Sequence, residues 1–257
     1  MSSNDWNPDL YLKFGKERIQ PSIDLVSRID FPEAKKIIDV GCGPGNSTQI
    51  LKNKWPNAEI TGADKSPAMI KKAKEDYPNQ EWILLDISKE TLNEKFDVVF
   101  SNATIQWIPD HENLMRRFAE MLNDHGVLAV QLPLIFGMPA GKAISEIAKK
   151  NWPDAAEGVD ELFTIHTAEY YYDCLANYFS GIDIWSTDYY HVMTSPESIL
   201  EMLRSTRLKP YLERLNGDDA KKEFETRVLE RIRQDYPAQQ NGNVLFPFRR
   251  LFVTAKK

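Results

Sequence analysis

An apolar run that stops at a glycine-rich turn and restarts as a helix, IIDVGCGPGNST at 37–48, restricts the fold more than any other feature of this chain. Glycine takes a left-handed turn at no steric cost, so such a stretch suits the first strand–helix unit of an open α/β sheet. The same alternation then repeats. Residues 36–41, 58–63, 82–85, 96–101 and 126–131 are short, apolar and rich in β-branched side chains, the composition of strands buried on both faces. Between them, 47–54, 67–76 (Met69, Ile70, Ala73) and 111–123 (Leu114, Phe118, Met121, Leu122) carry helical spacing. The pattern predicts an open, doubly wound α/β sheet, preceded by a helix at about 10–29.

After residue 132 the pattern changes. LPLIFGMPAG, with two prolines and two glycines, predicts a loop leaving the strand at 126–131. Helices are expected near 141–151 and 167–179, and a strand at 181–193. Residues 195–236 read as helical, with Phe224, Val228, Leu229 and Ile232 on one face. A last strand at 243–254 follows the Asn241-Gly242 turn. The helical stretch between the two late strands is expected to cap the active-site edge.

Charge narrows the partners. Lys and Arg number 32 against 38 Asp and Glu, a net charge of −6, which gives no general attraction for nucleic acid or anionic lipid. The first residues lack the basic start and apolar core of a signal peptide, and no apolar run approaches the roughly 18 residues of a membrane span. Cys42 and Cys174 are too few for a disulfide framework or a zinc cluster. A soluble cytoplasmic protein without a metal, monomeric or weakly self-associating, is expected.

The glycines are Gly41, Gly43 and Gly45, followed by Asn46, so the spacing is G-x-G-x-G. A dinucleotide fingerprint needs G-x-G-x-x-G. Asp39, two residues before the first glycine, would repel a pyrophosphate but favours a cationic ligand. Asp64 ends the second strand, where a carboxylate can accept both hydroxyls of a ribose. Asp86, in LLDI, can accept from an exocyclic adenine amine while Ile87 packs on the ring face. Each also has a plain structural reading: a tight turn, a helix N-terminal residue, a loop cap. Taken together they describe a site for adenosine carrying a cationic amino-acid tail.

IIDVGCGPGNST, ITGADKSPAMI, LLDI and FDVVFSNATIQWIPD resemble, in this order, the motifs of class I S-adenosylmethionine-dependent methyltransferases. The resemblance implies a Rossmann-like sheet of seven strands, the last antiparallel, with a helical cap insertion. S-adenosylmethionine is the implied cofactor and S-adenosylhomocysteine the product. Cofactor contacts are implied for Asp39, Gly41, Gly43, Gly45, Asn46, Asp64, Lys65, Met69, Asp86, Ile87, Asn102 and Ala103. It implies one methyltransferase domain over 1–257, with 1–34 a helical segment covering the site and 35–131 the cofactor-binding half. Residues 132–257 would hold the remaining strands and an acceptor cap at about 195–236.

DWNPDLYLKF at 5–14, NATIQWIPDH at 102–111, GVLAVQLP, DIWSTDYYHVM at 183–193 and FPFRRLFVTAKK extend the likeness nearly end to end. They resemble the branch of that family that esterifies small polycarboxylic acids such as trans-aconitate. LPLIFGMPAG is more apolar than that branch suggests, and Arg207 stands where glycine would be more typical.

A carboxylate acceptor is already ionised at pH 7, so no catalytic base is obligatory. Tyr11 and Trp107, with Phe14 a weaker candidate, are expected to close over the methyl group. Arg250, Arg207 and Lys209 are candidates for pairing with the acceptor's other carboxylates, because cations, and arginine's planar fork above all, suit that contact. Tyr189 and Tyr190 are hydroxyl donors of which strand alternation lets only one serve. His111 and His191 read as structural. The alternatives are a same-fold methyltransferase acting on another small-molecule oxygen or nitrogen, a nicotinamide oxidoreductase, or a cofactor-binding protein without catalysis.

Overall fold

The architecture comes from a computed structural model, which describes residues 15–257; Tyr11 and Phe14 lie outside the described residues. The chain divides into two compact units. The first runs up to Leu132 and adds Thr164–Ser186 and Leu251–Lys257; the second comprises Pro133–Phe163 and Thr187–Arg250.

The strands are β1 (Lys36–Val40), β2 (Glu59–Asp64), β3 (Glu81–Leu84), β4 (Phe96–Asn102), β5 (Leu122–Pro133), β6 (Gly181–Met193) and β7 (Val244–Lys256). They form one sheet in the order β3-β2-β1-β4-β5-β7-β6, with β7 antiparallel, as expected of the fold class. In the parallel part, Asp39 lies level with Gly62 on one side and Phe100 on the other. Central strands are apolar on both faces because helices cover both: Ile37, Ile38, Val98, Val99 and Phe100 are completely buried. Each such side chain contributes roughly 1.5–3 kcal/mol.

Helices of the first unit are α1 (Gly15–Ser27), α2 (Asn46–Lys54), α3 (Pro67–Asp76) and α4 (His111–Met121), with a further one at Ala168–Ala176. Their starts are written in the sequence. Ser66 caps α3 by accepting from the Met69 amide at 3.2 Å, with Pro67 at the first helical position. Asp110 caps α4 through the Asn113 amide at 3.2 Å.

In the second unit, α5 (Pro139–Asn151) starts two residues earlier than expected, again on a proline, and part of the expected loop coils as a 3-10 turn at Ile135–Gly137. Gly141 belongs to this packing, since a Cβ there would lie 2.1 Å from the Ile135 carbonyl oxygen. Two short helices follow, α6 (Pro153–Ala156) and, in the first unit, α7 (Ala168–Ala176), and the stretch 195–236 then forms three: α8 (Pro196–Arg204), α9 (Lys209–Arg214) and α10 (Asp218–Asp235). Pro210 restarts the chain at α9, and Gly217, at φ 84°, breaks it before α10. Phe224, Val228 and Ile232 form the buried stripe of α10.

Candidate functional site

A pocket opens in the first unit where β1, β2, β3 and β4 end. Val40 leads into a turn whose three glycines have positive φ: 78° at Gly41, 56° at Gly43 and 99° at Gly45. They are small for different reasons. A Cβ on Gly41 would sit 2.1 Å from Thr104 Oγ1, and one on Gly45 would sit 2.6 Å from the Trp82 ring. A Cβ on Gly43 would meet nothing within 4 Å. Gly43 is therefore held by conformation alone, and its backbone faces the pocket bare.

The turn is tied to β2. The Gly41 and Cys42 amides donate to the Ala63 carbonyl at 2.7 and 3.0 Å. The Gly43 amide donates to Asp64 Oδ2 at 2.9 Å, while Asp64 Oδ1 accepts from the Ser66 amide at 2.9 Å. Asp64 thus links the glycine turn to the start of α3 and still lines the pocket, beside Lys65 and Met69.

Asp39 does not reach the pocket wall. It is fully buried, and its Oδ2 accepts from Ser47 Oγ at 2.6 Å and Thr48 Oγ1 at 2.7 Å, fastening the first turn of α2 to β1. Its Oδ1 has no hydrogen-bond partner. Burial pushes its pKa up to about 6, against the pull of the two hydroxyls. Gly45 and Asn46 also lie off the wall.

At the tip of β3, Asp86 accepts from Ser88 Oγ at 2.5 Å and pairs with Lys89 at 3.3 Å. Burial works to raise its pKa, but these partners outweigh it and hold the carboxyl below the usual range. Leu85 and Ile87, both buried, give the wall an apolar surface on either side of Asp86.

Beyond β4 the backbone is strained: Ala103 has φ 54°, a region disfavoured for any residue with a Cβ. It is over-determined by its neighbours. The Ala103 amide donates to the Gln131 carbonyl at 2.9 Å, and its own carbonyl accepts from Gln106 Nε2 at 2.7 Å. Thr104 Oγ1 donates to the carbonyls of Gly41 and Asn102, each at 3.2 Å. Asn102 Oδ1 is buried on the pocket wall with no hydrogen-bond partner. Trp107 and Ile108 close this side. Below them His111 bridges Tyr171 Oη and the Ile105 carbonyl, each at 2.8 Å, and burial lowers its pKa. His111 is structural, as expected.

Of the twelve residues expected to contact the cofactor, nine line the wall together with Trp107, while Asp39, Gly45 and Asn46 belong to the turn and its supports. Val40, Leu85, Thr104 and Ile108 also line it and were not foreseen. Thr104 carried no signal, because its role depends on Gly41, distant in sequence.

The basic residues and the tyrosines of β6 considered for the acceptor lie in the second unit. Arg207 is buried and paired with Asp160. Arg250 is buried with its guanidinium 4.6 Å above the Phe248 ring. Tyr189 is half-buried and stacked on His191, Tyr190 is exposed, and Lys209 pairs with Glu213 at 3.7 Å. Among the described residues no group of His, Cys, Asp and Glu is placed to hold a metal ion, and no helix is long and apolar enough to cross a membrane.

The wall fits an adenosine with a cationic tail: two carboxylates at neighbouring strand tips, apolar surface around Asp86, a bare glycine backbone and an unsatisfied buried acceptor. A family model described as a methyltransferase domain matches residues 32–195. Trans-aconitate 2-methyltransferase of Escherichia coli O7:K1 is 40% identical over 255 residues, covering 99% of each chain, and the Shigella flexneri enzyme of that name is 39% identical over the same share. Among solved structures, the YcgJ protein of Bacillus subtilis superposes with a TM-score of 0.58 at 13% identity, over 93% of this chain and 98% of that one. Phosphoethanolamine N-methyltransferase 2 of Haemonchus contortus, in complex with phosphomonomethylethanolamine and S-adenosylhomocysteine, gives 0.57 at 18% identity, over 93% of this chain and 52% of that one. These last two share the fold.

Proposed function

The chain belongs to the class I S-adenosylmethionine-dependent methyltransferases, and on that premise we propose that it esterifies a carboxylate of a small polycarboxylic acid such as trans-aconitate. The observation that carries this reading is the 40% identity to enzymes named for that acid over 99% of both chains, which is not confined to the glycine turn and its neighbours.

S-adenosylmethionine, when bound, supplies an electrophilic methyl on a sulfonium. In this reading Asp64 accepts from the ribose hydroxyls and Asp86 from the exocyclic amine. Met69, Leu85 and Ile87 pack against the adenine. Asn102 Oδ1 accepts from a cationic or amide N–H, and the charge of Asp39 behind the turn favours a positive ligand.

The acceptor needs no deprotonation, since a carboxylate is ionised at pH 7. The residues' work is to position it and to exclude water. Holding two reactants in an attack geometry can contribute roughly 7–11 kcal/mol. Trp107, on the pocket wall, is proposed to shield the reacting oxygen from its hydration shell.

The test is purified protein with methyl-labelled S-adenosylmethionine and a panel of mono-, di- and tricarboxylic acids. Label should appear in a base-labile ester of a polycarboxylate. Tight cofactor binding without transfer to any acid would overturn the reading.

A further inference from the structure

Ala103, on the pocket wall of the first unit, is held at φ 54° although it carries a Cβ. Strain of this kind costs free energy, persists only where the surroundings over-determine it, and gathers at ligand sites. Here it turns the chain directly after β4. Asn102 still pairs with Gln131 at the end of the ladder, and two residues later Thr104 Oγ1 reaches the Gly41 carbonyl at 3.2 Å. The kink thereby joins the wall segment 102–104 to the glycine turn.

The side chain of Gln106 holds the kink. Its Nε2 donates to the Ala103 carbonyl at 2.7 Å, and the Ala103 amide donates to the Gln131 carbonyl at 2.9 Å, so both backbone polar groups of the strained residue are used. Gln106 is only 4% exposed, and its Oε1 is buried without a hydrogen-bond partner. Exchanging its two amide atoms would set oxygen against oxygen at Ala103, so the carbonyl fixes the orientation of the amide. The backbone around Gln106 is anchored as well. The Ile105 carbonyl bonds to His111 Nε2 at 2.8 Å, and the Gln106 carbonyl accepts from the Thr164 amide at 2.8 Å. A buried amide with an unsatisfied oxygen costs stability that an apolar side chain of similar size would not. What the glutamine alone supplies is the donor that pins Ala103.

We propose that Gln106 is a positioning residue for the cofactor: through the Ala103 carbonyl it sets the wall segment 102–104 and makes the pocket selective for an adenosine that carries an amino-acid tail. The proposal rests on the reading above in which Asn102 faces that tail. Gln106 does not line the pocket and touches no reacting group; it acts on the ligand only through the backbone it holds. Asp64 and Asp86 stand at the tips of other strands and hold the nucleoside independently of this hydrogen bond.

The experiment measures binding of two ligands by titration calorimetry: S-adenosylhomocysteine, and methylthioadenosine, which keeps the nucleoside and the thioether but lacks the amino-acid tail. Gln106→Met and Gln106→Leu are made alone and combined with Ala103→Gly. Both single variants should lose at least about tenfold in affinity for S-adenosylhomocysteine and less than about threefold for methylthioadenosine. Their melting temperatures should stay within about 4 °C of wild type, because removal of the orphaned oxygen offsets the lost bond. Glycine takes a positive φ without strain, so adding Ala103→Gly should restore at least about threefold of the lost affinity. Equal loss for both ligands, unchanged affinity for S-adenosylhomocysteine, or a loss that Ala103→Gly does not reduce overturns the proposal. So does unfolding of both single variants, which makes Gln106 a structural staple. Asn102→Ala tests the underlying reading separately. If it leaves the preference for S-adenosylhomocysteine intact, Asn102 does not face the tail, and rescue by Ala103→Gly alone decides the role of Gln106.

Discussion

Asp64 Oδ2 accepts the Gly43 amide at 2.9 Å, so the carboxylate at the tip of β2 holds the middle glycine of the β1 turn. One side chain thereby shapes the loop and faces the pocket.

Asp64→Ala should remove both effects. A hydrogen bond to a charged group is worth about 1.5–3 kcal/mol, so affinity for S-adenosylhomocysteine should fall roughly 10- to 150-fold. Titration calorimetry checks this, with far-ultraviolet circular dichroism showing that the sheet is retained. Unchanged affinity would remove Asp64 from the ribose.

The glycines should rank. Gly43→Ala meets open space and should cost only the left-handed penalty, roughly 1–2 kcal/mol. Gly41→Ala carries the same penalty and drives a methyl into Thr104 at 2.1 Å, so it should be clearly more destabilising. Urea unfolding of the two variants tests the order; equal losses would mean that Thr104 moves aside freely.

Asp39 and His111 should give the unliganded protein opposing pH dependences. The folded pKa of Asp39 is raised from 3.8 to about 6, so the folded state binds more protons in that window. Its contribution to stability is greatest below pH 4 and is lost as pH rises through about 6. His111 is lowered from 6.5 by burial, so the unfolded state takes up the proton first and stability falls as pH drops below about 6.5. Melting curves from pH 4 to 8 should lose the first slope in Asp39→Asn and the second in His111→Gln. A positive ligand favours ionised Asp39, so S-adenosylmethionine should bind more tightly as pH rises through about 6, and this trend should vanish in Asp39→Asn.

Trp107→Ala should lower kcat for the acceptor acid while changing S-adenosylhomocysteine affinity by less than about threefold, because its proposed role is to exclude water rather than to hold the nucleoside. Steady-state kinetics with calorimetry separates the two. An equal loss in both would make Trp107 a wall of the cofactor pocket.

The first half was legible residue by residue. Helix α3 runs over Pro67–Asp76 as its proline and apolar spacing predicted, and β6 over Gly181–Met193. Legibility fell where packing decides. Pro210 and Gly217 are local break signals inside 195–236 that its apolar spacing overrode in the reading, whereas nothing local says that LPLIFGMPAG half-coils. In the site, Gly41, Asp64 and Asp86 could be picked out because each stands at a strand end, where a fixed register makes position predictable. The charge of Asp39 beside the turn is legible in the sequence, but that its side chain is held by Ser47 and Thr48 of α2 is not.

The sequence by itself determined the alternation of strand and helix, the turn at Gly41–Gly45 and the carboxylates at the strand tips, because hydrophobic period and backbone restriction act over a few residues. Only the tertiary structure decided which polar atoms end without partners, Asn102 Oδ1 on the pocket wall and Arg207 Nε and Nη1 among three rings. Satisfaction of a buried polar group depends on every element packed around it, and those elements come from distant parts of the chain.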